Sequence, residues 1–279
     1  MLSMDSNDSL TIKRHEIKEE LGRGSLGIVY RAVETQAGQD VALRVLPRGL
    51  LLDPTLADYF TVLVEQVAQA QHPAIVPLIE WGNDRDQLFV AAKLMRGGTL
   101  RQRLAGQPFP LDTCVALINR IAAGLDAAHQ KDVTHRNFHP ANIMFDENGE
   151  PGITDFGLVA ILRRGDATST TVTIYGDTAY WSPEQALGMT LDGRSDIYSL
   201  GVILFEMLTG QLPYARQSSK VVMARNHVLE LVPNILKVKP DLPPKCAEVI
   251  NRAMAKKAAE RAPTAGEVAA LLADAACGA

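Results

Sequence analysis

The chain has 279 residues, 47% of them hydrophobic and 22% charged, with a net charge of -4. That composition supplies enough apolar material for one large domain or two lobes, and its mildly acidic balance argues against a nucleic-acid partner or an anionic membrane surface. Three scattered cysteines, Cys114, Cys246 and Cys277, form no Cys-x-x-Cys pair, so neither a disulfide framework nor a zinc site is indicated and a reducing cytosol fits best.

The opening residues 1–14 read as a loose polar tail; Asp5 and Asp8 are unlike a secretory leader. From Ile17 to Leu46 an alternating, β-branched pattern predicts three antiparallel strands, interrupted at Gly38. Asp53-Pro54 signals a helix start, and the helix is expected to run to about Gln71 before His72-Pro73. Two more strands are expected near Ile75–Glu80 and Leu88–Leu94. After Gly97-Gly98 the pattern becomes helical. Asp112 is expected to cap a helix through His129, with Val115, Ile118, Ala122 and Leu125 on one face. Short strands and a loop should fill Asn142 to Thr178. The apolar run Ile197–Leu208 is too short to cross a bilayer and contains Glu206, so it reads as a buried core helix. Thr264 and Glu267 form a capping-box pattern at the start of the last helix. The whole predicts an α+β chain of two lobes: a small strand-rich lobe over 15–94, a hinge near Lys93–Gly97 and a helical lobe over 95–279.

Gly22-Arg23-Gly24-Ser25-Leu26-Gly27-Ile28-Val29 fits a glycine-rich loop that brings backbone N–H groups close to phosphate oxygens. It lies between two strands, which argues against a dinucleotide-binding βαβ unit; taken alone, such a pattern is usually just a flexible turn. Further on, His135-Arg136-Asn137 is followed five residues later by Asn142. Asp155-Phe156-Gly157, Ser182-Pro183-Glu184, Asp196 and Arg261 then follow in order. With these motifs in this order, the stretch His15–Leu272 resembles a eukaryotic-type Ser/Thr protein kinase domain, most like bacterial members.

The resemblance implies a kinase fold and assigns residues by position. Gly22, Gly24 and Gly27 would cover the phosphates of ATP. Asn142 and Asp155 would hold magnesium, as hard oxygen ligands for a hard cation. Val29, Ala42 and Met144 would enclose the adenine, with the backbone near Lys93 and Met95 on its edge. Glu184 and Arg261 would form a buried ion pair bracing the helical lobe.

Four positions depart from the family. Arg44, in Val41-Ala42-Leu43-Arg44, replaces the lysine that contacts the phosphates; a planar guanidinium does not reproduce a compact ammonium. Leu63 replaces the helix glutamate that would pair with that lysine, and Glu65 lies about 200° round the helix from it. Asn137 replaces the aspartate that accepts the substrate proton, and His139 replaces the lysine two residues on. These changes point to a pseudokinase acting as a signalling, scaffolding or regulatory module. An active or weakly active kinase, or a nucleotide sensor with ATP and magnesium as ligands, remains the alternative.

Ala92 stands where the family has a bulky residue, and the opened pocket is expected to be filled by Leu63, unless both changes are drift. Arg44, without its glutamate, is expected to bind Asp155 and compete with magnesium. A partner kinase would find acceptors at Thr168, Ser169, Thr170, Thr171 and Thr173, with Arg136, Arg163 and Arg164 placed to receive a phosphate; the alternative is a solvated loop. The implied partner is a protein, within a cytoplasmic signalling chain or the cytosolic part of a longer protein.

Overall fold

The computed structural model describes residues 11–48, 54–165 and 174–278. Alternating side chains build the first lobe. Strands β1 (Thr11–Ile12), β2 (His15–Gly24), β3 (Gly27–Glu34), β4 (Gln39–Val45), β5 (Leu78–Asp84) and β6 (Gln87–Lys93) form one antiparallel sheet in the order β1-β2-β3-β4-β6-β5. On one face Ala32, Val41, Leu43, Phe89 and Ala91 pack together. On the other, Leu88 and Val90 join Leu56, Phe60 and Val64 of helix α1 (Pro54–Gln69). The period of two along β6 thus gives both faces of the sheet a core.

The second lobe grows around α6 (Gly193–Thr209), which is buried on nearly every side. Helices α3 (Leu111–His129), α9 (Lys245–Ala253) and α10 (Ala265–Cys277) pack on or beside it. Shorter helices complete the lobe: α2 (Leu100–Leu104), α4 (Leu158–Gly165), α5 (Pro183–Ala186), α7 (Lys220–Leu229) and α8 (Ile235–Val238). The hairpin of β7 (Ile143–Phe145) and β8 (Pro151–Ile153) lies beside α3. Among the described residues no helix is long and apolar enough to cross a membrane.

Several expected boundaries move for identifiable reasons. The polar tail does not extend to residue 14: Thr11 and Ile12 pair with Glu16 and His15, and Lys13 and Arg14 both bind Glu80, at 2.8 and 2.7 Å. The strand expected from Ile75 begins at Leu78, because Pro77 has no N–H for a ladder and Ile75 instead bridges to Ile153. Pro110, not Asp112, precedes α3, and Asp112 sits in its first turn. Only half of the expected capping box at the last helix forms: Thr264 accepts from the Glu267 N–H, while the Glu267 carboxylate turns to Arg252. Helix α4 replaces part of the loop expected before Thr178. The Asp53 cap and residues 1–10 lie outside the described residues.

One buried ion pair ties distant parts of the second lobe. Arg261 donates to Glu184 at 2.6 and 2.8 Å and also to the carbonyls of Ala255, Arg194 and Lys256. Its side chain is fully buried. Neighbouring Arg261 and Ser195 hold the Glu184 carboxyl below its ordinary pKa despite the opposing effect of burial. Arg261→Met should therefore cost about 3–5 kcal/mol in urea unfolding, because it strands a buried carboxylate. Adding Glu184→Met should recover part of that loss.

Candidate functional site

The cleft between the lobes is lined above by Leu21, Gly22, Val29, Ala42, Arg44 and Ala92, and below by Met144, Asn142, Ile153 and Asp155. Val29, Ala42, Ala92, Met95 and Met144 are brought together as expected, giving a flat apolar slot. Lys93 is placed differently. Its N–H donates to the Pro77 carbonyl at 2.9 Å, and its ammonium turns outward, 3.9 Å from Asp146. That N–H is therefore taken and not free for a ligand edge.

The three glycines of the β2–β3 turn have different reasons to be glycine. Gly27 has a φ of +94°, and a Cβ there would lie 1.9 Å from the Val45 carbonyl oxygen. The sheet itself requires glycine at this position. Around Gly22 and Gly24 nothing lies within 4 Å of a Cβ position. No protein contact demands glycine there, and the open space accommodates phosphate groups. Leu26, between Gly24 and Gly27 at the turn's tip, is buried in one cluster with Leu46, Phe60, Leu158 and Leu162. This joins the turn to α1 and α4.

Arg44 and Asp155 meet across the cleft as expected. Nε donates to Oδ1 at 2.8 Å and Nη2 to Oδ2 at 2.5 Å. The fork is bidentate and its two side chains are only 18% and 8% exposed. Both carboxylate oxygens are engaged. Asn142 is buried beside them, with its side-chain amide nitrogen donating 2.9 Å to the Asn137 carbonyl. The slot and the open glycine turn therefore fit a nucleotide, whereas the carboxylate that would hold magnesium is held by a guanidinium.

The expectation that Leu63 fills a pocket beside Ala92 is not what the structure displays. Val64 and Val67 of α1 line the cleft with Ala92. Leu63 is half-buried and packs against α4, and its Cδ1 lies 2.8 Å from where a Cβ on Gly157 would be. The reason is rotation along the helix: neighbouring positions face about 100° apart, so Leu63 meets the chain after Asp155 while Val64 meets the slot. Glu65 is exposed, as expected from the same rotation. Arg164 stacks its guanidinium 4.7 Å over the Tyr59 ring and adds a second tie between α4 and α1. The acceptor residues Thr168, Ser169, Thr170, Thr171 and Thr173 lie outside the described residues, as does the side chain of Arg163.

Asn137 occupies the floor in front of the cleft. Its amide nitrogen donates to His139 Nε2 at 3.2 Å, and its Oδ1 accepts the Asp177 N–H at 3.3 Å. Both ends of the amide are used to fix the loop. Burial and the nearby Arg101 guanidinium push the His139 pKa down to about 4. At neutral pH the ring is uncharged and cannot replace the cation of a lysine. The backbone here is anchored from α6: the Asp196 carboxylate accepts the N–H groups of His135 and Arg136 at 2.8 and 3.0 Å and binds His129 at 2.8 Å. Asp196 does not open α6; Asp192 caps it through the Arg194 N–H.

Sequence reasoning missed a second constellation. Asp177 lies beside Asn137 and is bound by Arg101 at 2.7 Å and by Arg216 at 3.1 and 3.4 Å. These arginines hold its carboxyl down at about 2. They are 76 and 39 residues away along the chain, so no local pattern marks the association.

The histidine makes a test possible. His139 keeps its proton less readily in the folded chain, about 4 against an ordinary 6.5. Between those values the unfolded chain binds the extra proton, so stability should fall as pH drops from 6.5 toward 4. His139→Asn should flatten that part of a urea-stability profile relative to the unaltered chain. His227, held down at about 3 mainly by burial, should retain its own slope in the variant.

The protein kinase domain family matches residues 15–271. A probable serine/threonine-protein kinase, PknB of Lactococcus lactis, is 34% identical over 245 residues, covering 87% of this chain and 39% of the relative. Serine/threonine-protein kinase PknL of Mycobacterium tuberculosis is 33% identical over 254 residues, covering 91% of this chain and 63% of the relative. The chain thus spans less than two thirds of each relative's length. The crystal structure of the Mycobacterium tuberculosis PknI kinase domain superposes with a TM-score of 0.77 at 24% identity, covering 96% of this chain and 98% of that one.

Proposed function

Since the chain belongs to the protein kinase domain family, we propose that it is a Ser/Thr kinase domain with impaired phosphotransfer, whose cleft receives a nucleotide while the domain serves as a signalling or scaffolding module. The described residues from 11 to 94 form its small lobe and those from 95 onward its large one. The observation that carries this proposal is the bidentate Arg44–Asp155 pair. Asp155 would hold a magnesium ion only in competition with a guanidinium bonded to both carboxylate oxygens. Asn137 adds a second obstacle: an amide cannot take up the substrate's proton, and that assistance is worth roughly 10²–10⁴ in rate. Neutral His139 supplies no charge to steady a transferring phosphoryl group. Leu63 supplies no carboxylate to draw Arg44 away from Asp155.

A second proposal has independent support. The relatives are named serine/threonine kinases, and these comparisons favour an active ATP-dependent Ser/Thr kinase over the impaired domain. Asn142, Asp155 and the open glycine turn are compatible with that activity. ATP would supply the phosphoryl group, with Gly22 and Gly24 over its phosphates and Val29, Ala42 and Met144 around its base.

Thermal denaturation with ATP, with and without magnesium, and radiolabelled phosphotransfer separate the two. The impaired domain should be stabilised by ATP almost equally with and without magnesium. Arg44→Ala should make the shift magnesium-dependent by releasing Asp155. Phosphotransfer should be absent or very low in the native chain and rise in an Arg44→Lys, Asn137→Asp, Leu63→Glu combination. Robust transfer by the native chain, lost in Asp155→Asn, would establish the active kinase instead.

A further inference from the structure

The surface in front of Asn137 and His139 differs in charge from the molecule as a whole. The chain carries a net charge of -4. This depression, however, is faced by Arg44, Arg101, Arg216 and Lys220, with only Asp155 and Asp177 opposing them. Asp155 is paired bidentately with Arg44. Outside that pair, three cations face one carboxylate.

Asp177 displays what those cations bind. Arg101 projects from α2 and Arg216 from the segment before α7, and both converge on this carboxylate. Asp177 is 16% exposed, whereas Arg101 and Arg216 are 44% and 54% exposed. Their forks therefore reach from the rim onto a carboxylate at the floor. Each guanidinium has five N–H donors in a fixed plane. Asp177 takes one from Arg101 and two from Arg216, and both side chains are about half exposed. Lys220 stands beside them with its ammonium 3.1 Å from the neutral Ile174 carbonyl, and no carboxylate pairs with it among the described residues.

We propose that this depression is a peptide groove selective for acidic segments, in which Arg101, Arg216 and Lys220 receive carboxylate side chains and Asp177 is a built-in competitor for the two arginines. The assignment rests on taking Asn137 and His139 as the acceptor end of a kinase cleft. It adds the chemical class of the protein partner or substrate. Charge-assisted bonds from planar forks supply the selectivity. Because the rim is exposed, each contact is individually weak and screened by salt. An acidic segment contacting several cations together is required.

Fluorescence anisotropy of labelled ten-residue peptides, without nucleotide, tests this. A peptide with four glutamates should bind, and its glutamine and lysine counterparts should not. Binding should weaken at least tenfold between low salt and 0.5 M sodium chloride, and Arg101→Ala and Arg216→Ala should each weaken it by about fivefold. Asp177→Asn should tighten it severalfold, since asparagine retains an acceptor for the Ala179 N–H but no charge to hold the arginines. A purely structural role for Asp177 would give no tightening. If Asp177→Asn does not fold by circular dichroism, the two arginine variants decide the matter.

Equal binding of glutamate and glutamine peptides, or no binding of either, would overturn the proposal. So would equal capture of a single-stranded oligonucleotide that is insensitive to Arg101→Ala. Because no nucleotide is present, a native chain active in phosphotransfer would overturn the impairment proposed above without affecting this result.

Discussion

A guanidinium from the sheet and a carboxylate from the helical lobe share two hydrogen bonds inside the cleft, and the arrangement around them follows from that pair. Arg44 is carried by β4, the strand flanked by β3 and β6, and its backbone position is fixed on both sides. Asp155 sits at a positive φ of +66° directly before the turn into α4. Two well-supported elements thus present complementary planar groups, a geometry a lysine would not match bidentately. The partly buried setting limits screening. The pair spans the lobes and engages the carboxylate proposed above as a metal ligand.

Apolar contacts support the same closure. Leu63 packs on α4 near Gly157, and Leu26 brings the glycine turn into that cluster. Replacing a buried polar pair by well-packed hydrophobic groups is commonly neutral or stabilising. The position of α1 thereby depends on packing with α4, through Leu63 and the Arg164–Tyr59 stack, rather than on an ion pair with the sheet.

The sequence made the two-lobed plan legible because its signals are local. Alternation marked the strands, the His-Pro pair ended α1, and the unbroken apolar run marked α6. The Arg44–Asp155 contact was also legible, since removing one cation's expected partner leaves the nearest carboxylate to take it. What escaped depends on three-dimensional approach. Whether Leu63 or Val64 faces the slot is a matter of about 100° of helix rotation. Helix α4 forms where its apolar face finds α1, a tertiary cause without a strong local signal. Arg101, Arg216 and Asp177 come from three separate elements. Lys93 was correctly placed at the end of a strand, but its N–H is taken by Pro77, which only the fold reveals.

The unequal surroundings of Gly22, Gly24 and Gly27 have an evolutionary consequence. Gly27 is fixed by the Val45 carbonyl whatever the cleft holds, so it would persist in a lineage that had abandoned its ligand. Gly22 and Gly24 face open space and answer only to whatever occupies it. Abandonment would release those two positions to drift while the third stayed constant. Divergence within the turn therefore separates descent under selection for a ligand from descent under selection for the fold alone, a distinction that the motif treated as a single unit conceals.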